Sequence, residues 1–461
     1  MVEDEPQRPN PTDFDIFLPW ACQQLQLHTM VQVVREEQQE YVSATTSERT
    51  KVKTKPKAKE DTQTDLDSEV DQLNRMPAIT YEDILYINAV YNYNNNLVQI
   101  KFANTCTIPR LVLKIIGLII KYHTHLTSII INKGINEYSM YELGKLLPLS
   151  NITDICLDGT YLKNANYQLL FEQQSSMRQL SLARCSIDDV VLEVIANALI
   201  HPSPASKFLS ILNLSSNIIS DSGIISLANA LRTNRALNYL NLSNNMISDR
   251  GMTCILDTLV RFPLSLSELV ASRSRHIEFM KDKSERIMNL ATELRSYDID
   301  KRSIKQKSMK TLKKGKVLTE RDTSLKNINE IDNSNQEALF EKATAIVEAT
   351  LGSFKDPFNK NNTFVKDNIT YCFGNNSLYY LNVSYNNWSY LSLKKLLTVL
   401  IYQKTINRKP RGLINLSIEG NLIPEHCKEL SLIDSLLNEC LSLIQRDVTI
   451  PKKKTLTKTN K

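Results

Sequence analysis

Glycine is scarce in this chain, with 11 residues in 461. None of it forms the G-x-x-x-x-G-K loop that cradles phosphates or the G-x-S-x-G turn that presents a nucleophilic serine, and no zinc-binding H-E-x-x-H occurs. An enzymatic reading has no site to rest on, and neither a cofactor nor a small-molecule substrate is expected. The eight cysteines include no C-x-x-C pair and have no histidine at ligand spacing, so they read as free thiols of a reducing compartment, not as disulfides or a metal site. His123 and His125 flank Thr124 with no Cys, Asp or Glu at ligand spacing, and are read as ordinary surface histidines. Long apolar runs are missing too. The longest, residues 111 to 120, falls well short of the roughly 20 residues that span a bilayer. The acidic, proline-bearing start MVEDEPQRPNPTDFD lacks the basic and apolar regions of a secretory signal, which gives an expectation of a cytoplasmic protein.

What the chain does have is one pattern stated twice, in LSILNLSSNIISDSGIISLANAL from Leu209 and LNYLNLSNNMISDRGMTCILDTL from Leu237. Each copy reads L-x-x-L-x-L-x-x-N-x-I, followed by Asp and Gly and then by apolar residues at helical spacing. Leu212 and Leu214 alternate on one face of a short strand, and Asn217 has a side-chain amide suited to the turn out of it. Asn245 repeats that role. Asp221 is placed to cap the helix that follows, Gly223 to let it pack closely, and Ile225, Leu227, Ala228 and Leu231 to form its apolar stripe. This is the signature of leucine-rich repeats. The expected fold class is an α/β leucine-rich-repeat solenoid, a horseshoe of the ribonuclease-inhibitor type with short parallel strands inside and helices outside.

Degraded copies extend the series in both directions. Met177, Leu180, Leu182, Cys185 and Ile187 form one, Ile152, Ile155, Leu157, Thr160 and Leu162 another, and Leu126, Ile129 and Ile131 a third. An earlier phase fits Leu97, Ile100, Phe102 and Thr105. Residues 79 to 90 read as a helix or strand covering the first repeat, since a solenoid end exposes core. Two copies follow a long interruption, at Leu378, Leu381, Val383 and Asn386 and at Leu413, Leu416, Ile418 and Asn421. Cys185, Asn217, Asn245, Asn386 and Asn421 are the structural turn positions. The expected organisation is an N-terminal extension over 1–75 and capped repeats over 76–263. A charged helix over 264–296 and a basic disordered insertion over 297–335 come next. Terminal repeats with their cap over 336–447 and a basic disordered tail over 448–461 complete the chain. Within the extension, Phe14, Ile16, Phe17, Leu18, Trp20 and Leu25 suggest a short helix starting after Pro19 that packs on the main domain. Residues 43 to 71 read as a linker, too polar to offset their chain entropy.

The net charge of +6 hides a concentration. Eight positive charges and no acid lie between Lys301 and Lys316, and five more follow Pro451, so the remainder of the chain is net acidic. Such runs suit anionic surfaces, and the absence of interleaved aromatics for base stacking argues against nucleic acid. The order of segments, with IDD at Ile187 to Asp189, the stretch from Arg261 to Val270, the lysine-rich insertion, EATLGSF, LNVSYNN and LSIEGN, resembles leucine-rich-repeat proteins of cilia and sperm flagella. That resemblance implies a non-enzymatic scaffold of the axoneme or cytoskeleton, with axonemal or microtubule components as partners. The alternative is a leucine-rich-repeat regulator of an enzyme, of the ribonuclease-inhibitor or GTPase-activating type. Candidate binding residues are the outward strand positions of the concave face: Gln179, Ser181, Ile211, Asn213, Ser215, Tyr239, Asn241, Ser243, Tyr380, Asn382 and Ser384. They are small, polar and largely uncharged, which speaks against the charged rim that the alternative needs. Thr62, Gln63 and Thr64 form the TQT core with which partners of dynein light chain add a strand to that protein's sheet edge.

Overall fold

A computed structural model describes residues 8–38, 84–103, 107–172, 176–310 and 324–449, with side chains described outside 298–310, 324–336 and 443–449. The TQT segment, the linker over 43–71 and the tail beyond 449 lie outside these residues. In chain order the elements begin with α1 (Phe14–Gln24), β1 (Met30–Glu37), β2 (Ile84–Tyr91), β3 (Leu97–Phe102) and α2 (Arg110–Ile119). The next are β4 (Ser128–Ile131), α3 (Glu137–Leu146), β5 (Asp154–Cys156), β6 (Gln179–Ser181), α4 (Asp189–Leu199) and the single turn α5 (Ala205–Phe208). The two clear repeats give β7 (Ile211–Asn213), α6 (Asp221–Thr233), β8 (Tyr239–Asn241) and α7 (Asp249–Leu259). The interruption contains β9 (Phe262–Pro263), α8 (Leu266–Lys310), α9 (Ser324–Leu351), β10 (Thr363–Lys366) and β11 (Ile369–Cys372). Last come β12 (Tyr380–Asn382), α10 (Tyr390–Ile406), β13 (Asn415–Ser417) and α11 (Lys428–Thr449).

Two compact units emerge, one of residues up to Leu259 together with Asn375 onward, the other Val260–Gly374. In the first, ten described strands form one sheet in the order β1 to β8, then β12 and β13. Every pairing is parallel except the β2–β3 hairpin. Strand and helix alternate through the repeats, and α4, α6, α7, α10 and α11 pack successively side by side. This is the expected leucine-rich-repeat solenoid. Its core is the ladder of inward strand residues: Ile129, Ile155, Leu180, Leu212, Leu240 and Leu381 are neighbours in register and each is at most 1% exposed. Leu214, Leu242 and Val383 repeat the row one step along, and are fully buried.

The N-terminal end differs from expectation in two ways. Residues 30–37 form a strand, β1, that pairs in parallel with β2 from Met30↔Ile84 to Glu37↔Tyr91. The helix before it starts at Phe14 and contains Pro19, where a start after that proline was expected. An interior proline forfeits one backbone bond and costs about 3 kcal/mol. Phe14, Phe17, Leu18, Ala21 and Cys22 are buried along this helix, and burying each Phe or Leu contributes about 1.5–3 kcal/mol, so burial wins. His123 is another correction. It is buried, not on the surface: its Nε2 lies 3.1 Å from the Pro11 carbonyl and its ring meets Phe14 edge-on at 5.6 Å, tying the extension to the repeats. His125 is exposed.

The second unit corrects the expected boundaries. Helix α8 runs past residue 296 to Lys310 and α9 starts at Ser324, so much of 297–335 is helical where disorder was expected. No glycine or proline interrupts residues 266–310, and the run is rich in helix-favouring Lys, Arg, Met and Glu. Ile287, Leu290, Ala291 and Leu294 of α8 pack against Ala343, Val347 and Leu351 of α9. Residues 336–374 thus belong with α8 and not with the terminal repeats. The hairpin β10–β11 and β9 complete the unit as a three-stranded antiparallel sheet, packed around Phe262, Leu264, Phe358 and Cys372.

Candidate functional site

The turn residues show how the sheet is held. Asn217 donates from Nδ2 to the carbonyls of Leu182 (2.9 Å) and Leu214 (2.9 Å) and accepts at Oδ1 from the N–H groups of Cys185 and Ile187. Asn245 does the same to Leu214 and Leu242, and accepts from Ile219. Asn386 donates to Leu242 and Val383 and accepts from Ile247, while Asn421 donates to Val383 and Ile418 and accepts from Asn386. Each amide therefore binds its own repeat and the one before it, and those of Asn217, Asn245 and Asn386 are buried. Cys185 fills this position with a thiol that donates to the Leu157 carbonyl at 3.2 Å, and burial pushes its pKa up.

A second link joins the helices. Ser220, not Asp221, caps α6, and each acidic residue reaches across to the following repeat instead. Asp189 accepts from the Ser220 N–H at 2.8 Å and from the Ser220 and Ser222 hydroxyls. Asp221 takes the N–H groups of Ser248 and Gly251 and the Ser248 hydroxyl, and Asp249 those of Ser389 and the Ser392 hydroxyl. Partial burial works to raise the Asp189 and Asp249 pKa values, but the serine donors outweigh it and both lie below the ordinary value. Gly223 and Gly251 leave room for this approach: a Cβ on either would lie 2.6 Å or 2.5 Å from the preceding aspartate oxygen. The repeat pattern suggested Asp as a local cap; its partner on the next repeat is visible only in three dimensions.

With the inward positions committed to the core, the opposite face of the sheet is what remains for a partner. Register sets Gln179, Ile211, Tyr239, Tyr380 and Asn415 in one row, and Ser181, Asn213, Asn241, Asn382 and Ser417 in the next. Tyr239 and Tyr380 stack with ring centroids 4.0 Å apart and planes 2° from parallel. Partial burial, then the Tyr380 hydroxyl, push the Tyr239 pKa up to about 12, so its phenol stays protonated near neutrality. The Tyr380 hydroxyl lies 3.5 Å from that of Ser417. Gln179 is exposed, and Ile211 is half-buried beside Tyr239.

The second row is more occupied than its polarity suggested. Asn213, Asn241 and Asn382 each accept at Oδ1 from the N–H two residues on, at Ser215, Ser243 and Ser384. Ser181 and Ser384 are buried, at 7% and 5% exposure, and their hydroxyls donate to Asp158 and Asn382. They are therefore corrected from binding positions to internal ones. Tyr379, 40% exposed beside the stacked pair, and exposed Asn415 were missed. The Tyr379–Tyr380 doublet was the available signal for the first. Among the described residues no three His, Cys, Asp or Glu side chains gather as a metal site, and no helix is long and apolar enough to cross a membrane.

A family model described as Leucine Rich repeat matches residues 205–228 and 233–256, the segments that supply β7, β8 and most of α6 and α7. No curated protein matches the chain. The match and the laddered parallel sheet together support a leucine-rich-repeat protein.

Proposed function

We propose that the chain is a non-enzymatic protein-interaction scaffold that docks a partner on the outward face of its parallel sheet, centred on Tyr239 and Tyr380. The stacked tyrosine pair is the observation that carries this reading. Aromatic side chains supply large rigid contact area with a hydroxyl at the tip, and they dominate measured interface energies. The members of that row on either side of the pair, Gln179, Ile211 and Asn415, are uncharged and favour a neutral protein contact over the charged clamp of an enzyme inhibitor; the row first meets a charge at Asp154, beyond Gln179.

The finer placement rests on sequence. The order of segments resembles leucine-rich repeat-containing protein 71, and on that resemblance the ciliary or flagellar axoneme, or cytoskeleton joined to it, is the proposed location. Axonemal or microtubule components are the proposed partners. The basic run from Lys301 to Lys316 and the lysines after Pro451 suit acidic protein tails, and Thr62 to Thr64 suit dynein light chain. Proximity labelling in ciliated cells with the wild type and with a Tyr239→Ser/Tyr380→Ser variant tests both levels. The variant is expected to stay folded, with a modestly lower melting temperature from loss of the stacked pair, and to lose a defined subset of axonemal neighbours. An unchanged neighbour set would overturn the docking face, and solely nuclear or secretory neighbours for the wild type would overturn the placement.

A further inference from the structure

Within the Val260–Gly374 unit, α8 and the loop after α9 enclose an open cavity of about 490 Å³. Its lining includes Arg273 and His276 from α8 and Phe354, Lys355, Phe358 and Lys360 from the loop. The loop is held in place by one buried carboxylate. Asp356 is 5% exposed and accepts from Arg275 Nε (2.7 Å), the Ser272 hydroxyl (2.9 Å) and the Phe358 N–H (2.9 Å). Asn362 adds an N–H bond to Asn359 Oδ1 and an amide bond to the Pro357 carbonyl. Along one wall, Phe354 stacks on His276 at 4.9 Å and leans against Phe279 at 5.3 Å.

The charge balance of this cavity is one-sided. Arg275 consumes the only carboxylate that anchors the loop, which leaves Arg273, Lys355 and Lys360 as exposed cations with no ion pair among the described residues. No Asp or Glu lines the cavity. Two further polar side chains point the same way. Asn359 has its Oδ1 engaged by Asn362, which leaves its amide N–H₂ to donate, and the Ser353 hydroxyl lines the cavity as well. The C-terminus of α9 at Leu351 opposes an anion with about half an elementary charge, against three full charges. Three cations and a set of donors beside an aromatic wall favour a compact, multiply charged oxyanion.

We propose that this cavity binds a phosphate monoester. The site is independent of the docking face. A phosphate monoester reaches a protein either on a phosphorylated side chain or on a nucleotide, and the two sources can be told apart.

The test uses the full chain with selectively labelled histidine, of which there are six, so that the His276 resonance reports at the site. Titrations use a short phosphoserine peptide, the same peptide without phosphate, and adenosine monophosphate. Binding of at least one phosphorylated probe should be saturable and move the His276 signal. It should weaken at least tenfold in Arg273→Gln/Lys355→Gln/Lys360→Gln, and persist within about twofold in Lys355→Arg/Lys360→Arg. It should also persist in Lys133→Gln/Lys163→Gln/Lys207→Gln, which removes the same charge from exposed lysines of the other unit. Tighter binding of the peptide identifies a phosphoprotein source, and tighter binding of the nucleotide a nucleotide source. Equal binding by wild type and the cavity variant, a stationary His276 signal at saturation, or no binding of either phosphorylated probe at millimolar concentration would overturn the proposal. Melting curves of all variants should coincide, because each replaced side chain is exposed.

Discussion

Asn245 and Asn241 sit four residues apart in the same repeat and should behave in opposite ways. Asn245 is 7% exposed and satisfies buried backbone groups of two repeats at once. Asn245→Ala leaves those groups unpaired and is expected to cost roughly 2–4 kcal/mol in chemical denaturation, since each buried unsatisfied group costs about 1–3 kcal/mol. Asn241→Ala removes one acceptor on the solvent side and should cost under about 1 kcal/mol. His123 makes a pH-dependent case. Burial, set against the Pro11 carbonyl and Asp13, holds its pKa below the ordinary 6.5. The folded state therefore favours the neutral ring, and its contribution is complete above pH 6.5 and lost as pH falls through the lowered value. Fluorescence of Trp20 should report looser docking of α1 below that point, and His123→Gln should flatten the response. Sequence periodicity made the asparagines legible, because their role repeats with the motif. It could not show His123 as buried, because its partners Pro11 and Phe14 lie more than a hundred residues away.

At the level of elements, helix packing depends on the aspartate bridges. Gly251→Ala would ordinarily gain about 1 kcal/mol of helix propensity. Here its Cβ would meet Asp221 Oδ1 at 2.5 Å and the Ile247 side chain at 3.0 Å, so either the carboxylate leaves its bonds to Ser248 and Gly251 or α6 and α7 move apart. Overpacking of this kind costs about 1–3 kcal/mol, so a net loss of stability is expected on thermal melting. A melt raised by the substitution would show that the two helices are not held at this distance. The strands within repeats were readable because leucine at fixed spacing commits one face to the core. Strand β1 was not, since its partner β2 begins 54 residues after it and its own residues alternate weakly: only Val31 of the eight is buried. The start of helix α1 is not legible from Pro19 alone, because burial of Phe14, Phe17 and Leu18 outweighs the cost of a proline inside the helix.

For the whole molecule, the interruption is the main feature. The chain leaves the repeats after Leu259 and resumes them at Asn375, whose N–H binds the Thr258 carbonyl at 2.7 Å. The Asn375 side chain then binds the Leu231 and Asn234 carbonyls. Ladder bonds run across the gap from Leu242 N–H to Asn382 O and from Asn244 N–H to Ser384 O, at 2.8 and 2.9 Å. The Tyr239–Tyr380 stack, and with it the proposed docking face, exists only because β8 and β12 are neighbours. The central claim is therefore that repeats separated by 115 residues of sequence form one sheet. Replacing residues 260–374 with a short flexible linker tests it by amide hydrogen exchange at Leu242 and Asn244. The account predicts that both amides stay protected and that the shortened chain unfolds in a single cooperative transition. Rapid exchange at both positions in an otherwise folded protein would contradict it.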